Sequence, residues 1–470
     1  MNSINRTQHV SVYPADTQTP ISLYLRLVGS QPGILLESAE VDGRLGRYSL
    51  IAWDFRLLLA CRQGRLVCSA QDPDFAPLEE LSGSEFVPGI REVLKRVDIA
   101  PIPGAPAQPP LTRSLIGFFN YELAGLLEPA LGSSLSMDGD QAILALPGQQ
   151  ILFDHLHHRC LYLSLDSTSL PESHPPGGPF SEPQLGTVTA HPDKDLYCRN
   201  VARTRELINQ GEAIQVVLST RFSAPFSGDP FALYRRLRQA NPSPYMFYLN
   251  LPEMTLVGSS PELLVRSTDG LIQERPIAGT RPRGRDDAAD QRLAEDLLRD
   301  DKEKAEHLML VDLGRNDLGR IAAPGSVQVD RFMQVERFSH VMHLTSYLQA
   351  RLQDGLDAVD VLQATFPAGT VSGAPKIRAM EIIADLERQR RGPYAGAVGW
   401  LGLDSPQFNL DTGITIRTMW IEDNRLNWQA GAGIVSDSVP EREWEECLNK
   451  AKIINHILEQ HGGSDVFAHR

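Results

Sequence analysis

Two pairs of glutamates have the spacing that most clearly suggests chemistry in this chain. Glu303 and Glu306 lie in the acidic stretch DDKEKAEHLMLVDLGRND, and Glu443 and Glu446 lie in EREWEECLNKAK. Residues three apart share one face of a helix, so each pair can direct two carboxylates to one point. Two such helices that converge would supply the oxygen ligands that Mg²⁺ prefers, with substrate and water completing its shell. The spacing therefore predicts a magnesium site between two helices.

Both pairs also have ordinary structural explanations. Asp300 and Glu303 have the Asp-x-x-Glu spacing of a helix capping box, which makes Glu303 the weakest of the four candidates. Glu446 precedes Lys450 by four residues, the spacing of a simple ion pair on a helix. From the residues alone, a metal role and a structural role remain open for each pair.

The segment PIAGTRPRG, residues 276–284, predicts a tight turn that binds an anion. Thr280 offers a hydroxyl group, Arg281 and Arg283 offer guanidinium groups, and the backbone N–H groups of such a turn can also bind an anion. Ala278 stands where a reactive side chain could have stood. Together with the acidic helix that follows, the turn indicates a small carboxylated substrate.

Three single residues are further candidates for catalysis or substrate binding. Glu262 begins a predicted strand in SSPELLV, His343 lies among apolar residues in SHVMHLTS, and Arg417 is predicted in the middle of the strand ITIRTM. A buried arginine needs an anionic partner, which can be a protein carboxylate or the substrate. A solvent-facing carboxylate and a hydrogen-bonded core histidine are the plain alternatives for Glu262 and His343.

The last predicted helix carries its polar residues on one stripe. Glu443, Glu446, Asn449 and Lys450 share that stripe, and the apolar residues of the helix fall largely on the opposite face. The Gly-Ala-Gly turn at 431–433 comes shortly before, and glycines allow a backbone to approach a ligand closely. We expect the turn and the helix to form one binding corner.

The scaffold that brings these segments together is predicted to be mixed. Before residue 167, the segments LYLRLVG, GILLESA, RYSLIAW, FRLLLACRQGRLVCSA and QQILFDHLHHRCLYLSL have the short apolar pattern of strands. Many hairpin-like strands with helices between them favour an α+β fold with large antiparallel sheets. Helices are predicted at about 85–97, 119–127, 287–318, 357–364 and 440–460, after a helix that stops at Gly211 and another that starts at Asp229-Pro230.

Composition shifts divide the chain into regions. Residues 167–193 are rich in Pro, Gly and Ser and form the predicted linker. The linker follows a strand-rich N-terminal region, 1–166, and precedes the region 194–462, which holds most of the candidate residues. Residues 463–470 are a predicted tail.

Bulk composition excludes several classes of protein. The chain has 470 residues, enough for one large or two to three average domains, and its net charge of −14 disfavours nonspecific nucleic-acid binding. Its five cysteines are scattered without metal-ligand spacing, which predicts reduced thiols. A polar N-terminus and the lack of an apolar run long enough for a bilayer predict a cytoplasmic protein.

Seven segments, taken in order, resemble the chorismate-utilising enzymes. The motifs are SSPELL, PIAGTRPRG, EHLMLVDLGRND, FPAGTVSGAPKIRAMEII, ITIRT, QAGAGIVSDS and ExxECLNKA, and they extend over about residues 190–460. The resemblance implies the fold of that family, a two-layered core of large antiparallel sheets with helices packed outside. It also implies a lyase that acts on chorismate and depends on Mg²⁺.

The resemblance assigns roles to particular residues. Mg²⁺ would be bound by Glu306 and Glu446, with Glu303 and Glu443 in support, directly or through water. Glu262 would be the general acid on the leaving 4-hydroxyl group, since hydroxide leaves poorly unless it is protonated. The residues expected to bind the rest of the substrate are Gly279, Thr280, Tyr394, Arg417, Gly431, Ala432, Gly433 and Lys450.

Two positions distinguish reactions within the family. Members that add water carry a lysine where this chain has Gln215, and glutamine fits amination because ammonia needs no base to become a nucleophile. Members that make 4-amino-4-deoxychorismate commonly carry a nucleophilic lysine where this chain has Ala278. His343 would assist the later loss of pyruvate, and Thr280 belongs to the same catalytic set. The resemblance thus implies conversion of chorismate and ammonia to anthranilate and pyruvate, the first step of tryptophan biosynthesis.

Two alternatives stay open. Variation in the PIxGT segment keeps formation of 4-amino-4-deoxychorismate as the runner-up, and a non-catalytic tryptophan-binding regulator is an alternative of another class. The regulator hypothesis draws on LLES and NPSPYMFY, which resemble the tryptophan feedback site of anthranilate-forming enzymes. Tryptophan bound there would inhibit by favouring one conformation over another. The residues expected to line that allosteric site are Ser38, Pro244, Tyr245 and Met246.

The source of ammonia is expected to be a second protein. The chain has no Gly-x-Cys-x-Gly nucleophile turn of a glutaminase. The resemblance implies a separate glutamine amidotransferase subunit, component II, that passes ammonia to this chain.

Overall fold

The computed structural model describes residues 3–39, 46–166, 169–171, 181–338, 341–404 and 407–459. The predicted tail, 463–470, lies outside these ranges, as does much of the predicted linker. Within them, no helix is both long enough and apolar enough to cross a membrane.

The described residues form an alternating series of strands and helices. The strands are β1 Ile4–Pro14, β2 Gly33–Glu37, β3 Tyr48–Arg62, β4 Arg65–Ala70, β5 Val97–Pro101, β6 Ser114–Phe119, β7 Asp140–Asp154, β8 Arg159–Ser164, β9 Gln184–Leu185, β10 Thr189–His191, β11 Gln215–Ser227, β12 Tyr245–Asn250, β13 Thr255–Ser260, β14 Leu263–Thr268, β15 Leu271–Glu274, β16 Ile277–Pro282, β17 Gln328–Arg337, β18 Val341–Arg351, β19 Gly373–Ala374, β20 Ala397–Gly402, β21 Leu410–Ile414, β22 Thr418–Glu422 and β23 Arg425–Ile434. The α-helices are α1 Pro20–Leu27, α2 Phe86–Arg96, α3 Ala124–Leu127, α4 Lys194–Asn209, α5 Pro230–Ala240, α6 Asp287–Arg299, α7 Asp301–Gly319, α8 Ala358–Thr365, α9 Lys376–Glu387 and α10 Pro440–Glu459. Short 3₁₀ helices are found at Pro73–Leu81, Pro110–Thr112, Tyr121–Leu123, Pro129–Leu131 and Gly369–Val371.

The predicted α+β fold with large antiparallel sheets is confirmed. Among the described strands, β1 and β5 pair in parallel, and the other pairs are antiparallel. Strands on the two sides of the predicted linker pair directly, β2 with β12 and β6 with β20. The division at 167–193 therefore stays a prediction from composition, while the sheet joins the regions that it separates.

Two large apolar clusters form most of the core. One lies among β3, β6 and β7 and helices α2 and α8. The other is rich in aromatic rings and lies between the sheet and helices α1, α5 and α10, with Tyr24 stacked on Phe231 at 4.6 Å between ring centroids. Helices thus cover the sheets from outside.

Local capping residues account for several of the predicted helices. Asp193 begins α4 and Asp229 begins α5, and each carboxylate accepts a hydrogen bond from a backbone N–H of the first turn. The single helix expected at 287–318 is two helices in the structure. Asp300 ends α6 and caps α7 by accepting from the Glu303 N–H at 3.1 Å.

The segment LYLRLVG belongs largely to helix α1 and is not the predicted strand. Thr19 and Ser22 cap the helix reciprocally, with each side chain accepting from the other's backbone N–H at 3.0 to 3.1 Å. Pro20 occupies the first turn, where its missing N–H costs nothing. The strand expectation is wrong because these start signals outweigh a short apolar run.

Candidate active site

A cavity of about 550 Å³ collects most of the predicted site residues. Strands β11, β16, β18 and β23 and helices α7 and α10 all contribute to its wall. The predicted residues that line it are Gln215, Glu262, Ala278, Gly279, Thr280, Glu303, Glu306, His343, Tyr394, Arg417, Gly431, Glu446 and Lys450.

Strand pairing explains why residues so far apart in sequence meet here. Strands β16 and β18 pair with Thr280 opposite His343, and strands β11 and β23 pair with Ser219 opposite Gly431. Helix α7 packs on β16 and β18, and helix α10 packs on β23. The sheet therefore aligns the substrate-facing strands, and the two helices bring the glutamates to the same cavity.

Glu262 lies at the junction between β13 and β14 and is only 8% exposed. Burial raises the pKa of its carboxyl group to about 7, although the nearby Thr370 hydroxyl and the guanidinium groups of Arg275 and Arg417 lower it. A carboxyl group with this pKa keeps its proton in about half of the molecules at pH 7, whereas an ordinary glutamate is almost fully ionised, so Glu262 can donate a proton. The solvent-facing alternative for Glu262 does not hold.

His343 is held in one tautomer by the segment opposite. Its Nδ1 atom lies 2.9 Å from the carbonyl oxygen of Gly279 and 3.0 Å from the hydroxyl oxygen of Thr280. A carbonyl oxygen can only accept, so Nδ1 carries the hydrogen and Nε2 carries the lone pair. Burial lowers the pKa of His343, which keeps the ring neutral and able to accept a proton.

Arg417 has a free guanidinium group but not the predicted backbone. The residue lies in the bend between β21 and β22 with φ of +50°, so the expectation of a mid-strand position is wrong. Within the described residues, its guanidinium group forms no hydrogen bond or ion pair. Burial lowers the pKa of Arg417, although the carboxyl group of Glu262 acts on it electrostatically and raises the pKa. A desolvated guanidinium group that faces a cavity is suited to bind a carboxylate.

The predicted anion-binding turn is a strand with a β-bulge. Segment 277–282 is β16, and its register against β18 shifts at Gly279, which has φ of +67°. Arg281 and Arg283 do not serve the substrate, because both are engaged within the protein. Arg281 binds Glu303 at 3.1 Å as well as two aspartates, and Arg283 binds Asp290 at 2.7 Å.

The four glutamates of the predicted metal site are not equivalent. Glu303 forms its ion pair with Arg281, and Glu446 forms one with Lys450 at 2.8 Å. Burial raises the pKa of Glu306, and the carboxylates of Glu303 and Glu446 raise it further. Glu443 is not part of the cavity wall, although burial and Glu446 raise its pKa too.

The donor set fits Mg²⁺ with few protein ligands. No group of three or more His, Cys, Asp and Glu side chains in the described ranges is arranged to hold a metal ion. Mg²⁺, however, is usually bound through one or two carboxylates, together with substrate and water. Glu306 and Glu446 can supply those carboxylates, and the pKa of Glu306 is raised first by burial and then by the neighbouring carboxylates, an environment that a bound cation would relieve.

The segment 431–433 lies within strand β23 and is not the predicted turn, and with Lys450 it forms the predicted corner only in part. Lys450 donates to the carbonyl oxygen of Gly431 at 3.0 Å, and a Cβ added at Gly431 would lie 2.7 Å from the Tyr394 hydroxyl group. A Cβ added at Gly433 would lie 2.2 Å from the Gln215 amide nitrogen. Gly433 and Ala432 pack in the strand pair and do not line the cavity.

A second cavity, of about 320 Å³, brings together the residues of the predicted allosteric site. Ser38, Pro244, Tyr245 and Met246 all line it, and Trp400 adds an aromatic wall. The Ser38 hydroxyl oxygen is buried without a hydrogen-bond partner in the part of the chain that the structure describes. A buried unpaired hydroxyl group beside aromatic and apolar walls suits an amphipathic ligand.

Sequence reasoning missed the buried charges that surround the active cavity. Arg391 pairs with Glu387 at 2.7 Å and donates to the carbonyl oxygens of Val217 and Val371, which both line the cavity. Glu274 and Asp317 lie in the cluster behind Glu262. The signal for Arg391 was its spacing of four from Glu387, but only tertiary contacts show that the pair is buried.

Known proteins share both sequence and fold with this chain. Residues 72–456 match the family model of the chorismate binding enzymes. Anthranilate synthase component 1 from Aquifex aeolicus is 43% identical over 94% of this chain and 93% of its own length, and that from Thermus thermophilus is 41% identical over 95% and 96%. The crystal structure of anthranilate synthase component I from Streptococcus pneumoniae superposes with a TM-score of 0.72 at 35% identity, over 94% of this chain and 98% of that one. The menaquinone-specific isochorismate synthase from Escherichia coli, at 22% identity and a TM-score of 0.71 over 97% of this chain and 95% of its own, shares the fold.

Proposed function

The chain belongs to the chorismate binding enzymes, and we propose that it converts chorismate and ammonia to anthranilate and pyruvate. The observation that carries the proposal is one cavity that holds a carboxyl group with a raised pKa, Glu262, a neutral imidazole, His343, and a free guanidinium group, Arg417. This set suits an acid-assisted substitution followed by an elimination. The similarity of the chain to anthranilate synthase component 1 over more than nine-tenths of its length supports the same reaction.

Substrate binding needs cationic groups, because chorismate carries two carboxylates. Arg417 and Lys450 face the cavity and can each bind one carboxylate oxygen. When bound by Glu306 and Glu446, Mg²⁺ would supply charge compensation for the ring carboxylate. Arg417 is available to the substrate because its guanidinium group forms no hydrogen bond or ion pair among the described residues.

The first chemical step replaces the 4-hydroxyl group by ammonia. Nitrogen forms its bond at the ring carbon next to the one that bears the carboxylate, both ring double bonds shift by one position, and the C4–O bond breaks with its electron pair leaving on oxygen. Glu262 donates its proton to that oxygen, so that water departs. Burial of Glu262 raises its pKa to about 7, which makes a proton available for the leaving oxygen near neutral pH.

The second step releases pyruvate and makes the ring aromatic. Nε2 of His343 can accept the ring proton, because Nδ1 is held as donor by the Gly279 carbonyl group. The bond between the ring and the enolpyruvyl oxygen then breaks, and the enol takes up a proton to become pyruvate. The neutral ring that the lowered pKa maintains is the form required of a base.

The nucleophile is ammonia and not water or a lysine. Gln215 and Ala278 line the cavity, and neither carries an amine that could deprotonate water or attack the ring. Gln215 instead packs beside Glu306 and Gly433. The same two side chains disfavour a covalent route to 4-amino-4-deoxychorismate.

Three further features follow from the proposed reaction. A separate amidotransferase subunit supplies ammonia, since the chain itself lacks a glutaminase turn. Tryptophan is a feedback inhibitor that binds in the cavity of Ser38, supported by its unpaired hydroxyl group and aromatic wall. The cytoplasm, as predicted from the sequence, is the location.

Product analysis tests the proposal. Purified protein with chorismate, Mg²⁺ and an ammonium salt is expected to yield anthranilate fluorescence and an equal amount of pyruvate. Formation of 4-amino-4-deoxychorismate without pyruvate would contradict the proposal. A Glu262→Gln variant is expected to lose about 10² to 10⁴ in rate, because general acid catalysis has that magnitude.

A further inference from the structure

Glu262 lines a second cavity besides the one that holds the substrate. This smaller cavity has a volume of about 40 Å³, and its wall includes the carboxyl-bearing residues Glu274 and Asp317 and the basic residue Arg275. A polar cavity of this size has room for at least one water molecule. The general acid of the proposed reaction is therefore in contact with two spaces, one for substrate and one bounded by further acids.

The carboxyl group of Glu274 is the unusual feature of the smaller cavity. Its Oε1 atom is buried without a hydrogen-bond partner in the described part of the chain. On the other side, helix α7 approaches so closely that a Cβ added at Gly314 would lie 2.6 Å from Oε2. A buried unpaired carboxyl oxygen is costly to folding, so its retention calls for an explanation. Water in the cavity would satisfy it.

Asp317, which lines the same cavity as Glu274, is paired with a lysine that is partly exposed to solvent. Asp317 accepts from Lys376 at 2.6 Å, and Lys376 also donates to the carbonyl oxygen of Thr365 at 3.3 Å. The Lys376 side chain is 11% exposed. Burial and the neighbouring Asp317 carboxylate raise the pKa of Glu274 well above its usual value, which favours the protonated form of its carboxyl group.

Other charged groups near Glu274 do not supply the missing hydrogen bond to its Oε1 atom. Lys376 lowers the pKa of Glu274 but is itself paired with Asp317. Arg320 acts on Asp317 from the end of α7. Arg275, beside Glu274 in the chain, donates to the carbonyl oxygen of Pro261 at 3.3 Å and faces Glu336 at 3.9 Å.

We propose that Glu274 stores the proton that recharges Glu262, which it passes through water in the shared cavity. The inference rests on the proposed function, because it concerns the proton that Glu262 loses in the first chemical step.

After Glu262 protonates the leaving oxygen, the cavity water gives a proton to Glu262 and takes one from Glu274. Glu274 regains a proton from solvent through Asp317 and Lys376. The nitrogen that joins the ring releases one proton to solvent, so the step consumes no net acid. Glu274 does not contact the substrate. It is a positioning residue, because it acts only through Glu262 by supplying the proton that Glu262 regains.

The test replaces Glu274 by glutamine, which keeps the shape and removes the transferable proton. The variant and the wild type are assayed with saturating ammonium and Mg²⁺ for kcat, for KM of chorismate, and for the solvent deuterium isotope effect on kcat. We expect kcat of Glu274→Gln to fall by about tenfold or more while KM stays within about twofold, since the acid is recharged slowly but the substrate binds as before. The isotope effect should rise, and Glu274→Asp should recover part of the lost rate.

A matched control is Glu295→Gln on the outer face of α6, which lines neither cavity and should behave as wild type. Wild-type kcat and isotope effect in Glu274→Gln would overturn the relay while leaving the proposed function intact. A fall in kcat accompanied by a lower unfolding temperature and an unchanged isotope effect would overturn it too, because that pattern reports a structural role. Absence of anthranilate from the wild type would instead overturn the proposed function.

Discussion

His343 donates from Nδ1 to the carbonyl oxygen of Gly279 at 2.9 Å, so the backbone of one strand selects the tautomer of a base on the next. Gly279 adopts φ of +67°, and a Cβ there would lie 3.0 Å from both Glu303 Oε2 and Leu297 Cδ1. In the proposed mechanism the β-bulge at Gly279 would therefore serve catalysis, because it presents a carbonyl group to the histidine while helix α7 packs against the bulge.

Replacing Gly279 by alanine should impair the release of pyruvate more than the consumption of chorismate. A side chain at positive φ costs about 1–2 kcal/mol, and the contacts with Glu303 and Leu297 must also shift. His343 would then lose its fixed tautomer, so an aminated product that still carries the enolpyruvyl group should accumulate. Mass spectrometry of the reaction mixture measures this directly, and His343→Ala should give the same product pattern.

The control for Gly279→Ala is Gly355→Ala. Gly355 also has positive φ, +86°, but a Cβ there meets nothing within 4 Å, so the change adds a comparable backbone cost without the contacts. Normal anthranilate formation by Gly279→Ala would contradict the role of the bulge. Equal loss of activity in both variants would mean that destabilisation alone explains the effect.

Glu262→Gln should stabilise the protein at alkaline pH. The folded pKa of about 7 lies above the value of about 4.3 for an unfolded glutamate, so folding takes up a proton between these values. The associated stability is complete below about pH 4 and is lost as pH rises through about 7. The variant should therefore exceed the wild type by about 3–4 kcal/mol at about pH 8 and by only about 1 kcal/mol at about pH 5. Urea unfolding at the two pH values measures the difference, and a pH-independent difference would refute the buried-acid assignment.

Ser38→Phe should abolish inhibition by tryptophan and leave activity unchanged. Ser38 lines the 320 Å³ cavity and its hydroxyl oxygen is buried, so a phenyl ring would fill the space meant for the ligand. Calorimetric titration of tryptophan and an inhibition curve for anthranilate formation both measure the effect. Ser133→Phe, at an exposed turn outside the cavity, is the matched control. Inhibition that persists in Ser38→Phe would remove the allosteric assignment.

Arg391→Leu should destabilise the fold by about 3–5 kcal/mol, because it leaves Glu387 buried without its counter-ion. Both side chains are 1% exposed, and Arg391 also stacks against Tyr121 with its guanidinium carbon 4.8 Å from the ring centroid. By contrast, Arg203→Leu should change stability by less than about 1 kcal/mol, since its partner Glu206 is exposed. Equal urea midpoints for the two variants would show that the buried pair adds no stability.

Local signals made much of the fold predictable. Asp193 and Asp229 begin helices where their side chains can cap, and helix α10 covers 440–459 as its apolar face indicates. Helix α1 was predictable in principle from Thr19 and Pro20, but its short apolar run matches a strand equally well. Helix α9 was missed, although its apolar residues between Ala379 and Ile383 follow a helical period.

The roles of charged residues were less predictable, since they depend on distant partners. Arginine is a residue type that binds anions, yet Arg281 and Arg283 form ion pairs with aspartates and a glutamate that lie 7 to 22 residues away in the chain. Arg417 was predicted within a strand, and the bend that frees its guanidinium group depends on the break between β21 and β22. The sequence does not indicate that Glu274 lies beside Glu262, because the cavity that the two residues share forms only when α7 packs on the sheet.

The product formed from chorismate and ammonia tests the central claim most directly. Purified protein is incubated with chorismate, Mg²⁺ and either ammonium chloride or sodium chloride, and the products are separated by chromatography and identified by mass. We predict anthranilate and pyruvate in equal amounts with ammonium and no conversion with sodium. Accumulation of 4-amino-4-deoxychorismate, or isomerisation of chorismate by water in the sodium sample, would contradict the account.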